Sequence, residues 1–124
     1  MSQHILIIED DTDSQEMVAT ILQHMNFQVD VVGDGNEASR IIEDSGTQYD
    51  LILIDLALPG KDGWQLLEEI RANPSMSSLP CVAVTAFHTS KLRTEAIASG
   101  FSAYFPKPID GTSFGRQITQ IINS

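Results

Sequence analysis

Four apolar runs in this 124-residue chain end in side chains that can do chemistry together. Asp55 follows Leu51-Ile52-Leu53-Ile54, and Glu9-Asp10-Asp11 close the run Ile5-Leu6-Ile7-Ile8. Thr85 closes Val82-Ala83-Val84, and Lys107 comes just after Tyr104-Phe105-Pro106. Carboxylates gathered within a few ångströms repel one another, which raises at least one pKa or destabilises the fold unless a cation joins them. A hard divalent ion resolves that conflict, and an all-oxygen site open to water suits Mg²⁺. Asp55 is then placed to attack phosphorus, since carboxylates form aspartyl-phosphate intermediates. The metal and Lys107 would stabilise charge on the phosphoryl oxygens, with Thr85 donating a hydrogen bond to one of them. Taken singly, each residue has a plainer reading: the acids as helix caps, Lys107 as a solvated charge, Thr85 as the end of a strand. Their joint occurrence at four strand ends is what points to a site.

The elements that must position these residues alternate. His4 to Ile8, Gln28 to Val32, Asp50 to Ile54, Cys81 to Val84 and Ala103 to Phe105 read as short strands. The first, third and fourth are nearly continuous apolar runs, as for strands covered on both faces. Met17, Val18, Ile21, Leu22 and Met25 form the stripe of a first helix, with Asp11, Thr12 and Asp13 as candidate N-caps. Ala38, Ile41 and Ile42 mark a second helix after the Gly33-Asp34-Gly35 turn, and Leu66, Leu67 and Ile70 a third that ends near Asn73-Pro74. A weaker stripe of Leu92, Ala96 and Ile97 predicts a helix from about His88 to Ser99, with Gly100 as its C-cap. Phe114, Ile118, Ile121 and Ile122 give the last helix its core face.

Five strand-then-helix units predict an α/β fold, a doubly wound parallel five-stranded sheet with helices on both faces. The compact solution is the flavodoxin-like (βα)5 arrangement with strand order 2-1-3-4-5. The first and third strands are then neighbours, about 4.8 Å apart. Asp10, Asp55, Thr85 and Lys107 all border the switch-point crevice where such folds bind ligands.

Composition narrows the function classes. The 42% hydrophobic content fits one domain with a real core and argues against disorder. No apolar run is long enough to span a bilayer, and the N-terminus lacks a charged-then-apolar signal pattern. The single cysteine, Cys81, cannot form an internal disulfide, which fits a cytoplasmic setting. It could be a nucleophile, but its place opening an apolar run favours a small buried hydrophobe. Seven Lys and Arg against 17 Asp and Glu give a net charge of −10, which disfavours binding to nucleic acid or an anionic membrane.

These residues resemble the receiver domain of two-component response regulators, most of all the single-domain chemotaxis-regulator type. The segments that carry the resemblance are Ile5 to Asp11 (ILIIEDD), Leu51 to Gly63 (LILIDLALPGKDG), Val82 to Ala86 (VAVTA) and Gly100 to Pro108 (GFSAYFPKP). Each is weak alone, but together, in order and at these spacings, they are highly specific. The resemblance covers residues 1–124 as one response regulatory domain. It implies that Asp55 is the phosphoacceptor and that Glu9 and Asp10 are the acidic pair. It also implies that Asp10, Asp55 and the backbone carbonyl of Ala57 bind Mg²⁺. Thr85 matches the switch hydroxyl, Tyr104 the switch aromatic, and Lys107 the lysine of the motif, joined to Pro108 by a cis bond. Asp11 is expected to cap the first helix.

Such a domain takes its phosphoryl group from a phosphohistidine on a histidine kinase or a histidine phosphotransfer protein. It switches protein–protein contacts with a downstream target that the sequence does not identify, and it is not a turnover enzyme. On phosphorylation Thr85 moves toward the phosphoryl group and Tyr104 turns inward; the plainer reading of Tyr104 is a half-buried aromatic on an edge strand. Ala57 and Phe87, the apolar residues two beyond Asp55 and Thr85, offer nothing to orient a hydrolytic water. A comparatively long-lived aspartyl phosphate is therefore expected, unless Phe87 simply packs against the fourth helix.

A haloacid-dehalogenase-type phosphatase is the rival enzyme reading, with Asp11-Thr12-Asp13 as its D-x-D signature. That reading moves the nucleophile into a helix cap and leaves little chain for a cap domain. A flavin-binding flavodoxin-like module would need a Ser/Thr/Gly-rich phosphate loop where three acids stand. A degenerate receiver is disfavoured because every required residue is present. His4, His24 and His88 share no metal-ligand spacing and are assigned no site. Trp64, near the Asp55 loop, is expected to pack and to serve as a fluorescence reporter. With the chain closing on its fifth helix, the expectation is a stand-alone receiver or one cut from a larger regulator or hybrid kinase.

Overall fold

Alternation of apolar strands with capped amphipathic helices builds the architecture. The computed structural model describes residues 3–44 and 48–124. In chain order the elements are β1 (His4–Ile8), α1 (Thr12–His24), β2 (Gln28–Val32), α2 (Gly35–Glu43), β3 (Leu51–Asp55), α3 (Gly63–Ala72), β4 (Cys81–Thr85), α4 (Ser90–Ser99), β5 (Ala103–Pro106) and α5 (Phe114–Ile122). The strands form one parallel sheet in the order β2-β1-β3-β4-β5, as the sequence predicts.

β1, β3 and β4 are buried along almost their whole length because their side chains alternate between two cores. Ile5, Ile7, Leu51, Leu53, Val82 and Val84 meet α1 and α5 through Val18, Leu22, Phe114 and Ile118. Leu6, Ile8, Ile52, Ile54 and Ala83 face α2, α3 and α4 through Ala38, Ile42, Leu66, Leu67, Ile70 and Ala96. Cys81 is fully buried in this second core, and burial pushes its thiol up to about 11, so it is a packing residue.

The helix starts are fixed by short side chains. Asp11 accepts from the Ser14 amide at 2.9 Å, as its capping role requires, and Asp34 accepts from Glu37 at 2.8 Å. Asp62 and Gln65 make a reciprocal capping box at the head of α3. Gly100 ends α4 in the left-handed region at φ 117°.

Two stripes are thinner than the sequence predicts. In α1 only Val18 and Leu22 are buried, while Met17 and Met25 remain exposed. In α4 only Ala96 is buried, Leu92 packs partly, and Ile97 points to solvent. α4 also begins at Ser90, capped by Thr89, so His88 lies in the preceding loop rather than in the helix.

Candidate functional site

Register brings the predicted residues to one edge of the sheet. Asp55 is the last residue of β3 rather than the first beyond it, opposite Val84 of β4, and Thr85 ends β4 opposite Pro106 of β5. The Lys107 amide donates to the Thr85 carbonyl at 2.8 Å, which carries the parallel pairing one residue further and sets the lysine over the crevice. The Glu9 amide bonds the Val32 carbonyl in the same way, so Glu9 extends β1 inward.

Asp55 is 6% exposed and Glu9 4%. The Lys107 ammonium contacts both, reaching Asp55 Oδ2 at 3.1 Å and Glu9 Oε1 in a close ion pair. The second Asp55 oxygen accepts from the Ala57 amide at 2.9 Å, and the second Glu9 oxygen from the Asp11 amide at 3.1 Å. Asp10 is exposed at the mouth, and carboxylate oxygens of Glu9, Asp10 and Asp55 lie within 4.8 Å of one another. The group therefore sets three carboxylates against one ammonium.

That imbalance shows in protonation. Burial, reinforced by the hydrogen bond with Asp55, pushes Glu9 up to about 7, while Lys107 and the Asp11 amide pull it down. Burial works to lower the Lys107 pKa as well, but the bonds to Glu9 and Asp55 outweigh it and hold the ammonium above its ordinary value. A hard cation suits the vacancy in charge: the donors are all oxygen, two are nearly dry, and the third opens to water.

Thr85 is buried, and its hydroxyl accepts from the Phe87 amide at 3.0 Å. Tyr104 is 5% exposed, so the half-buried alternative does not hold. Its hydroxyl bonds His88 Nδ1 at 3.0 Å, and the Arg93 guanidinium sits 5.1 Å over its ring. Phe87 does not pack against α4, being 71% exposed. The Lys107–Pro108 bond is cis, as the resemblance implies. Trp64 packs edge-on against Phe101.

Sequence reasoning passed over two residues that shape the site. His88 has no metal-ligand spacing to mark it in the sequence, and only the path of the loop after Thr85 carries it to Tyr104. Gly35 has a signal only in hindsight: a Cβ there would stand 2.1 Å from the Lys61 carbonyl oxygen, so the loop after Asp55 lies directly on α2. The Gly35 amide also donates to the Pro59 carbonyl at 3.0 Å. Asp11, the nucleophile of the phosphatase reading, is an exposed helix cap outside the carboxylate group, so nothing supports that alternative.

Comparison with known proteins agrees with this geometry. The family profile of the response regulator receiver domain matches residues 5–119. An uncharacterised 14.6 kDa protein of Leptolyngbya boryana is 31% identical over 94% of this chain and 87% of its own length. The response regulator RppA of Synechocystis is 34% identical over 84% of this chain, which spans only 44% of RppA. Among solved structures, the receiver domain of a Pseudomonas aeruginosa sensor histidine kinase superposes with a TM-score of 0.88. It is 31% identical, with all of both chains covered, and holds a magnesium ion in its active-site cleft. Sheet order, clustered acids and matched sequence converge: the chain belongs to the response regulator receiver domains.

Proposed function

We propose that residues 1–124 act as one receiver domain in which Asp55 accepts a phosphoryl group. The observation that carries this reading is the cluster of Glu9, Asp10 and Asp55 sharing Lys107 at the end of β1 and β3. Glu9, Asp10, Asp55 and the Ala57 carbonyl would hold Mg²⁺, which when bound neutralises charge on the transferring group. An Asp55 oxygen forms the bond to phosphorus as the bond to the donor's imidazole nitrogen breaks, and that nitrogen leaves with the electron pair. Lys107 stabilises the phosphoryl oxygens, and Thr85, released from the Phe87 amide, donates to one of them.

The donor is a phosphohistidine on a histidine kinase or phosphotransfer protein, and the output is an altered contact with a downstream protein. The domain stores the group rather than turning over a substrate, and it works in the cytoplasm, away from nucleic acid and membrane surfaces. The exposed Phe87 and the methyl of Ala57 leave the acyl phosphate without a polar group to direct water, so it decays slowly. Faster loss of label in Ala57→Asn or Phe87→Glu would bear this out; equally rapid loss in wild type and both variants would rule it out.

The test of the main reading is intact mass after incubation with acetyl phosphate, with and without Mg²⁺. A phosphoryl adduct on the wild type that needs both Mg²⁺ and Asp55 is expected. An adduct that survives Asp55→Asn, or none with any donor, overturns it.

A further inference from the structure

We propose that His88 is a positioning residue that holds Tyr104 inward and so links the loop after Thr85 to β5. This rests on the reading of Thr85 and Tyr104 as the switch pair. Three observations lead to it. The Phe87 amide is bonded to the Thr85 hydroxyl at 3.0 Å, so the loop is fastened at its start to the group that must move. Thr89 caps α4 by accepting from Leu92 at 3.0 Å, so the loop is fastened at its far end to a helix. Between these points the His88 ring reaches across to β5, with Nδ1 3.0 Å from the Tyr104 hydroxyl and the two ring centres 5.4 Å apart.

Tyr104 is thereby gripped from two sides, by His88 on the loop and by Arg93 on α4. Any displacement of the Thr85 hydroxyl toward the crevice frees the Phe87 amide, and the next residue along the chain is the one that anchors Tyr104. Motion at the phosphoacceptor and the pose of the aromatic are then joined through this exposed loop, whose His88 side chain and Thr89 backbone both bond the Tyr104 hydroxyl. Such a bond is worth a factor of about 5 in population, enough to bias a switch without locking it.

The experiment uses the whole chain labelled with 3-fluorotyrosine. With only two tyrosines, Tyr49→Phe assigns the Tyr104 fluorine resonance. Wild type should show a small H₂O/D₂O isotope shift for Tyr104, as a buried ring does. In His88→Ala the shift should grow toward the exposed value, and the initial rate of phosphorylation by acetyl phosphate should fall about fivefold. His88→Asn, which keeps a polar atom near the Nδ1 position, should restore both. In a Tyr104→Phe background, His88→Ala should change the rate no further. His88 is exposed, so its substitution leaves the core intact.

The proposal is overturned if His88→Ala leaves the fluorine shift and the rate at wild-type values, or if its effect persists undiminished in the Tyr104→Phe background. Failure of the underlying reading looks different: no Mg²⁺-dependent adduct on Asp55. In that event the fluorine spectra of the unphosphorylated proteins still decide whether His88 anchors Tyr104.

Discussion

The two ends of the sheet both carry polar networks, and they are built on opposite terms. Toward the N-terminal ends of the strands the polar side chains find hydrogen-bond partners near water. Asp30 receives His4 Nε2 at 2.9 Å and the Tyr49 hydroxyl at 2.8 Å, and Asp50 accepts from the His4 amide at 2.7 Å. Arg71 donates to the carbonyls of Leu79 at 2.8 Å, Gly100 at 3.0 Å and Ser77 at 3.3 Å, tying α3 to the start of β4 and the end of α4. At the C-terminal ends, Glu9 and Asp55 are nearly dry and share one lysine, with Asp10 close by. Partnered polar groups fasten a fold. Like charges gathered between apolar walls cost stability and persist only where a ligand uses them.

The sharpest way to break this comparison is to remove the cation from each end. Lys107→Ala leaves Glu9 and Asp55 facing each other without the cation they share, a loss of about 3–5 kcal/mol. Phosphorylation by acetyl phosphate should slow by about 10²–10³, the scale of one lost electrostatic contact to a developing charge. Added Mg²⁺ should recover more stability in this variant than in wild type. Arg71→Ala should cost about 1.5–3 kcal/mol through its lost charge-assisted bonds, with water reaching the exposed carbonyls of Ser77 and Gly100. It should respond to Mg²⁺ as wild type does and phosphorylate at the wild-type rate. Urea unfolding with and without Mg²⁺ separates the two; equal Mg²⁺ responses would erase the distinction between the ends.

A pH scan probes the same imbalance. Glu9 has an ordinary pKa of 4.5 and is held at about 7 in the fold, chiefly by burial. Between these values the folded state binds a proton that the unfolded state does not. Stability in metal-free buffer therefore falls as pH rises from about 4.5 to 7, and levels off above. The full drop is on the order of 3 kcal/mol at most. Lys107, whose pKa is raised, stays charged throughout this window and contributes stability that is lost only above its own titration. Glu9→Gln should flatten the slope, which separates this group from the general repulsion of a chain at −10. An unchanged slope in Glu9→Gln would remove Glu9 as its cause.

A smaller effect is expected from a residue that touches neither network. Gly35→Ala places a methyl against the Lys61 backbone and must displace the loop that carries Ala57. The stability cost is about 1–3 kcal/mol. Mg²⁺ affinity, read by titrating Trp64 fluorescence, should weaken about tenfold, as for other residues that support a metal site from behind. Retained affinity in a destabilised Gly35→Ala would show that the loop is free of α2.

Most of the fold and the carboxylate site was legible because it depends on strand ends. Runs such as Leu51 to Ile54 announce buried parallel strands, and strand order then places Asp10, Asp55, Thr85 and Lys107 together without any knowledge of side-chain conformation. Contacts made by loops and helix faces were less legible. His88 reaches Tyr104 only through the path of residues 86–89, and Ile97 looked like part of a core stripe although α4 buries little beyond Ala96. The His4–Asp30–Tyr49 group was invisible because its members are far apart in sequence and lie at ordinary strand and loop positions. Periodicity records which face is buried, not which polar atoms meet.

That invisible group supplies the finest test. The Tyr49 hydroxyl is buried and held above its ordinary pKa, by burial first and then by its bond to Asp30. Tyr49→Phe removes one of the two donors to Asp30, but His4 remains on the same oxygen and the carboxylate side chain is 49% exposed. Water can replace the lost donor, so the cost should be only about 0.5–1.5 kcal/mol. Mg²⁺ affinity and phosphorylation rate should not move. The contrast with Lys107→Ala is one of supply: each removes a donor from a carboxylate, yet at the dry end the donor lost is the one cation that Glu9 and Asp55 share. A change in Mg²⁺ affinity on Tyr49→Phe would mean that the two ends are joined through β1 and β3, and that the matched network helps to set the unmatched one.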